Sequence, residues 1–275
     1  MGARSGNNYL SALRRLKAAL WLDGVRVEDP TVHPVFRPLA RKIASLYDLQ
    51  SENPGAMTYR LDDGDRIGYS FVHPANLEEK NKRAAMLRRW AELSVDSLRE
   101  TPDTMNLVLT TMAAAPDLLS GPGLSENLQS YYQEARRRDW CIAGALPDTS
   151  GDLRMVSRDD TGIVVRGSQR LSLLGSLAEE FLLYPTMVTM PESALVFAIS
   201  ANTRGIELHC RTSPDAPQPL SECIATFDQV AIPASRLFLC GDIQRCTALI
   251  EQTGAAAILA EQQALKAEVA AQNRS

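Results

Sequence analysis

The sequence predicts an α+β fold in which a helical front, a β-rich middle and a helical end follow one another. Three observations lead there. Apolar residues recur at helical spacing through the first half, short β-branched runs alternate with turn residues from Trp140 on, and helical spacing returns after Pro233.

Taken in order, Leu10, Leu13, Leu16 and Leu20 mark a first amphipathic helix whose other face carries Arg14, Arg15 and Lys17. Residues 21–27 alternate around Asp23-Gly24, the dipeptide best suited to a type I′ turn, so a short hairpin follows. Leu39, Ile43, Leu46 and Leu49 line one face of a second helix over 36–49. Residues 69–72 read as a brief strand, stopped at His73-Pro74 because a residue before proline avoids the helical region. Asn76 caps a long helix over 77–93, with Glu78 and Glu79 in the first turn, where the helix dipole favours acids. Helices over 103–115 and 125–138 flank the Ser120-Gly121-Pro122-Gly123 breaker.

The runs 141–146, 153–158, 162–166, 181–188, 195–199, 206–211 and 225–230 then read as strands, two of them joined by Asp159-Asp160-Thr161-Gly162. Short strands at this spacing suggest a small barrel or sandwich. From 243 to about 271 an Ala- and Gln-rich helix sets Ile250, Ile258, Leu265 and Val269 on one stripe, with Gly254 as a gap in it. The chain thus divides into a helical domain (1–138), a β-domain (139–240) and a C-terminal helix (241–275).

Composition narrows the function. The 29 basic and 33 acidic residues leave a net charge of -4 with no long single-sign block, which disfavours a nucleic-acid partner. No apolar run approaches the roughly 20 residues of a membrane span, and residues 1–8 lack the apolar core of a signal peptide, so no membrane partner and a cytoplasmic location are expected. Five cysteines, odd in number and without a C-x-x-C pair, signal neither a disulfide framework nor a zinc site; they read as buried thiols.

No dinucleotide fingerprint, phosphate-binding loop, serine elbow or zinc-protease motif occurs. His33 and His73 each precede a proline and suit structural turns, and His209 lies inside an expected strand. Arg136-Arg137-Arg138 reads as a solvated helix end, and Tyr131, Tyr132, Met187 and Met190 read as core.

Longer segments carry a resemblance. They are Trp21-Leu-Asp-Gly-Val-Arg-Val-Glu-Asp29, Thr31-Val-His-Pro-Val-Phe-Arg37, Leu46-Tyr-Asp-Leu-Gln50, Met57-Thr-Tyr-Arg60, Thr101-Pro-Asp103 with Asn106, Gly162-Ile-Val-Val-Arg-Gly167, Ala201-Asn-Thr-Arg-Gly205 and Leu237-Phe-Leu-Cys-Gly-Asp242. Together, from about Tyr9 to about Ala257, the sequence resembles the large oxygenase component family of 4-hydroxyphenylacetate 3-monooxygenase. That resemblance implies an acyl-CoA dehydrogenase-like fold, reduced flavin delivered by a separate reductase, and hydroxylation of a phenol beside its hydroxyl.

The departures are specific. The family pattern Arg-x-Pro-Asp-Tyr/Phe falls on Glu100, Pro102, Asp103 and Thr104, so a carboxylate replaces a guanidinium; Arg99 is adjacent but points elsewhere. The family's Thr-His step falls on Ala143-Gly144, which removes a base. Its flavin-contacting Thr-Ser pair falls on Leu173-Leu174, which donate no hydrogen bond, and its Trp-Asp pair on Ala234-Ser235. The family's C-terminal bundle is represented by one helix, whose apolar stripe is expected to be uncovered and to form a homo- or hetero-oligomer contact.

The expectation is therefore an auxiliary subunit that binds no cofactor alone. It would use reduced FAD only with a partner, either a full-length oxygenase or a flavin reductase, on a phenolic or polyketide-like metabolite. The alternative is a flavin-free enzyme catalysing cyclisation or isomerisation of a hydrophobic or aromatic substrate. Glu100 would be its acid or base, in a cavity lined by Arg99, Thr104, Trp140 and Gly144, because a carboxylate in an apolar cleft has its pKa raised. A non-catalytic binding protein is the third reading.

Overall fold

The computed structural model describes residues 2–94, 98, 100–115, 117, 123–145, 151–185, 188–212 and 220–272. Helix α1 (Gly6–Leu16) is capped by Ser5, whose Oγ accepts from the Asn8 amide at 3.3 Å, and it buries Tyr9 and Leu13. Leu20, expected on this helical face, instead opens β1 (Leu20–Leu22), which turns back as β2 (Val25–Val27). The turn residues Asp23 and Gly24 have φ of 47° and 83°, as a type I′ turn requires.

Helix α2 (Arg37–Glu52) and the short α3 (Pro54–Met57) lead into β3 (Thr58–Arg60) and β4 (Arg66–Gly68), a hairpin that periodicity did not disclose. The strand expected at 69–72 is a 3-10 turn over Tyr69–Phe71. Gly68 already pairs with Thr58, the first residue of β3, so the residues beyond it have no partner strand. Helix α4 (Leu77–Ser94) starts as expected: the Glu79 amide donates to Asn76 Oδ1 at 2.9 Å and Glu79 accepts from the Ala75 amide at 2.8 Å. Helices α5 (Pro102–Ala113) and α6 (Leu124–Arg138) follow. Of the breaker between them only Gly123 lies within the described residues, at φ 80°.

The strands β5 (Ile142–Gly144), β6 (Arg154–Asp159), β7 (Gly162–Leu171), β8 (Glu180–Leu183), β9 (Leu195–Ser200), β10 (Ile206–Thr212), β11 (Leu220–Pro233) and β12 (Leu237–Cys240) form the middle of the molecule. Among the described residues they make two sheets, with strand orders β2-β1-β10-β11-β7-β6 and β12-β9-β8-β5. The hairpin from the helical front therefore completes a sheet of the β-region, β1 pairing in parallel with β10.

The four-stranded sheet is buried on both faces, so its strands are mostly apolar rather than alternating. Along β9, Leu195, Phe197 and Ile199 enter the main core shared with the six-stranded sheet, while Val196 and Ala198 enter a second core with Met105, Val108, Leu109 and Met112 of α5. Met187 lies outside the described residues, and Met190, expected inside, is exposed beside a 3-10 turn at Pro191–Ser193.

The C-terminal segment, expected as one helix, is two: α7 (Ile243–Thr253) and α8 (Ala255–Gln272), parted at Gly254 with φ 60°. That left-handed residue ends α7 and lets α8 fold back over α4 and α5. Val269 is buried, and Ile258 and Leu265 pack against the main core. The stripe expected to be uncovered is covered by this chain. No helix among the described residues is long and apolar enough to cross a membrane.

Candidate functional site

Glu100 lies just before the N-terminus of α5. Pro102 takes the first helical position, where its missing amide costs nothing, and Asp103 sits in the first turn. Asp103 is 1% exposed, and neither of its carboxylate oxygens meets a hydrogen-bond partner. Burial raises its pKa, opposed by the charge of Lys266.

Glu100, just outside the helix, is half-buried. Loss of water pushes its carboxyl up to about 7; Ser172 and Lys266 oppose this, and Asp103 adds to it. Lys266 reaches in from α8 and donates to the Leu98 carbonyl at 3.3 Å. Burial lowers its pKa, against the pull of Asp103 and Glu100. Tyr184, after β8, is buried with an unpartnered hydroxyl, and burial followed by the charge of Glu100 raises its pKa. The result is a water-poor cluster of two carboxyls, an ammonium and a phenol in which one carboxyl is poised to exchange a proton near neutral pH.

The other expected residues divide. Thr104 is buried in the first turn of α5 beside this cluster, its amide donating to the Thr101 carbonyl. Gly144, on β5, faces α5 closely: a Cβ built on it would lie 2.2 Å from Met105 Sδ. The space over Gly144 is thus filled by Met105. Trp140 packs elsewhere, tilted 5.9 Å from the Tyr131 ring with the Arg138 and Arg236 guanidiniums over it, and it lines a separate cleft. Arg99 lies outside the described residues.

Two buried networks escaped the sequence reading. The Arg4 guanidinium forks onto the Glu179 carboxylate and stacks on Tyr47 at 4.6 Å, while the Arg4 amide and Gln50 both donate to Asp139. Burial carries Asp139 up to about 6 despite Arg4. Nearby, Arg236 pairs with Glu180 at 2.9 Å, and burial takes Glu180 up to about 7. His209 stacks on Trp21 and His33 Nδ1 accepts from the Val35 amide, both structural uses. No group of histidine, cysteine and acidic residues suited to a metal occurs among the described residues.

Reduced flavin is the cofactor the resemblance implies, and Leu173 and Leu174 stand where its contacts would fall. They form part of a 3-10 turn after β7, with Leu174 4% exposed and Leu173 packed against the main core. Neither side chain can donate a hydrogen bond to a flavin.

A helical front laid on a doubly buried sheet, with a second sheet behind it and helices returning over α5, is the acyl-CoA dehydrogenase-like arrangement. The chain belongs to the 4-hydroxyphenylacetate 3-hydroxylase N-terminal family, whose model matches residues 5–239. It is 33% identical over 290 residues to the oxygenase component of 4-hydroxyphenylacetate 3-monooxygenase from Thermus thermophilus, covering 94% of this chain and 60% of that protein. It is 31% identical over 295 residues to the corresponding protein of Geobacillus sp. (strain PA-9), covering 95% and 60%. The crystal structure of such an oxygenase component complexed with FAD and 4-hydroxyphenylacetate superposes with a TM-score of 0.86 at 30% identity, covering 97% of this chain and 61% of that one. The chain spans about 60% of the length of the curated relatives it matches.

Proposed function

We propose that this chain works on the oxygenase side of a two-component flavin monooxygenase, as an auxiliary subunit beside a partner that carries reduced FAD, with a phenolic metabolite as substrate. One observation carries the reading. The backbone follows that of an oxygenase complexed with FAD, while the positions of the expected flavin contacts hold core leucines, Leu173 and Leu174. Such a chain keeps the scaffold and leaves flavin to another subunit, which a reductase would supply. The partner would dock away from the stripe of Ile258, Leu265 and Val269, which this chain already covers.

The test is affinity purification of the tagged chain from its native cells, followed by flavin extraction and anaerobic titration of the isolated chain with reduced FAD. The expected result is flavin in the complex and none bound by the isolated chain. Stoichiometric FAD on the chain alone overturns the reading.

The Glu100–Asp103–Lys266 cluster favours a second reading, a flavin-free isomerisation or cyclisation with Glu100 as acid or base. Activity left unchanged by Glu100→Gln would sink it.

A further inference from the structure

Away from Glu100, a cleft of about 770 Å³ opens between α1, β4 and the end of α6, within the size range of small-molecule sites. Arg4, Arg15, Arg66 and Arg138 are among its lining residues, with Asp65 and Glu179. Glu179 is spent on Arg4 and Asp65 is held by Arg137 at 3.1 Å. Arg138 pairs with Glu134 and lies over the Trp140 ring.

Arg15 and Arg66 have no carboxylate partner among the described residues. Arg66 donates only to the Pro54 carbonyl and the Thr58 hydroxyl, and Arg15 is exposed on the last turn of α1. Positive charge concentrated in a concavity focuses the field there, and guanidinium forks match the planar geometry of phosphate and carboxylate. Trp140 also lines the cleft, but its ring is already covered by the Arg138 and Arg236 guanidiniums.

We propose that this cleft binds a small organic anion, its phosphate or carboxylate held by Arg15 and Arg66. None of the cluster at α5 takes part, so this site stands or falls apart from the oxygenase reading.

The experiment is calorimetric titration of the full chain with ADP and, separately, with 4-hydroxybenzoate, at low and high salt, repeated on Arg15→Glu. Binding of ADP assigns the anion as phosphate, and binding of 4-hydroxybenzoate as carboxylate. The proposal expects at least one to bind, more weakly at high salt, and to lose about tenfold or more in affinity in Arg15→Glu. Arg15 is exposed, so the variant is expected to keep its melting temperature. Failure of both probes to bind at millimolar concentration overturns the proposal, as does binding that Arg15→Glu leaves within about twofold.

Discussion

The Lys266 ammonium donates to the Leu98 carbonyl at 3.3 Å, tying the last helix to the segment that presents Glu100. A lysine from α8 thus supplies the cation beside two carboxyls at the start of α5, where the family resemblance leads one to look for an arginine at position 100. Lys266→Met keeps the apolar stem and removes the charge. It should cost about 3 kcal/mol, since removing one partner of a buried ionic group strands the other. Denaturant titrations at pH 5.5 and pH 8 should find the larger loss at pH 8, where Glu100 is ionised; equal losses would mean that the ammonium does not serve the carboxyls.

Glu100 has its own pH signature. Its folded pKa, about 7, lies above the ordinary 4.5, so between these values the folded state holds the extra proton. Stability from this group is full below about pH 4.5 and declines as pH rises through 7. Glu100→Gln should remove that decline, so that its melting temperature relative to the parent rises between pH 5 and pH 8. Parallel curves would contradict the proton-holding carboxyl.

Gly144 and Met105 form a close approach of β5 and α5. Gly144→Ala should destabilise by about 1 to 3 kcal/mol, because the new Cβ would meet Met105 Sδ at 2.2 Å. Met105→Ala added to it should restore part of the loss, and a double-mutant cycle measures the coupling. Additive losses would place the strain elsewhere.

Arg4 and Glu179 anchor the N-terminus to the start of β8. Arg4→Ala should cost about 3 to 5 kcal/mol, since it leaves the Glu179 carboxylate buried and unpaired and withdraws the cation stacked on Tyr47. Removal of the whole pair by Arg4→Met with Glu179→Gln should cost less than Arg4→Ala. Denaturant midpoints of the three proteins check both statements.

Much of the helical front was legible because its core positions are local: Leu13 on the first helix, and Ile43 and Leu46 on the second, fall at the spacing of a helix face. Asn76 and Asp23-Gly24 were legible because caps and I′ turns depend on few residues. Lys266 was not. Beside Leu265 it reads as solvent-facing, and its burial depends on acids far away in sequence; Gln262, Lys266 and Val269 at i, i+4 and i+7 are the signal that a second stripe exists. The fork of Arg4 on Glu179 was hidden for the same reason. Glu100 stood out through the departure from the family pattern, whereas Trp140, expected beside it, packs on Tyr131 under two guanidiniums that only the tertiary fold brings there.

The parallel pairing of β1 with β10, Leu20 against Leu208, has a temporal side. A chain emerging from the ribosome makes the β1–β2 hairpin early, but the strand that covers its open edge arrives only with Ile206–Thr212. Until then the hairpin holds a row of unpaired amides and carbonyls, and a lone hairpin is marginal in water. Long-range closure of this kind slows folding, so nascent chains halted before β10 should be the species most in need of a chaperone.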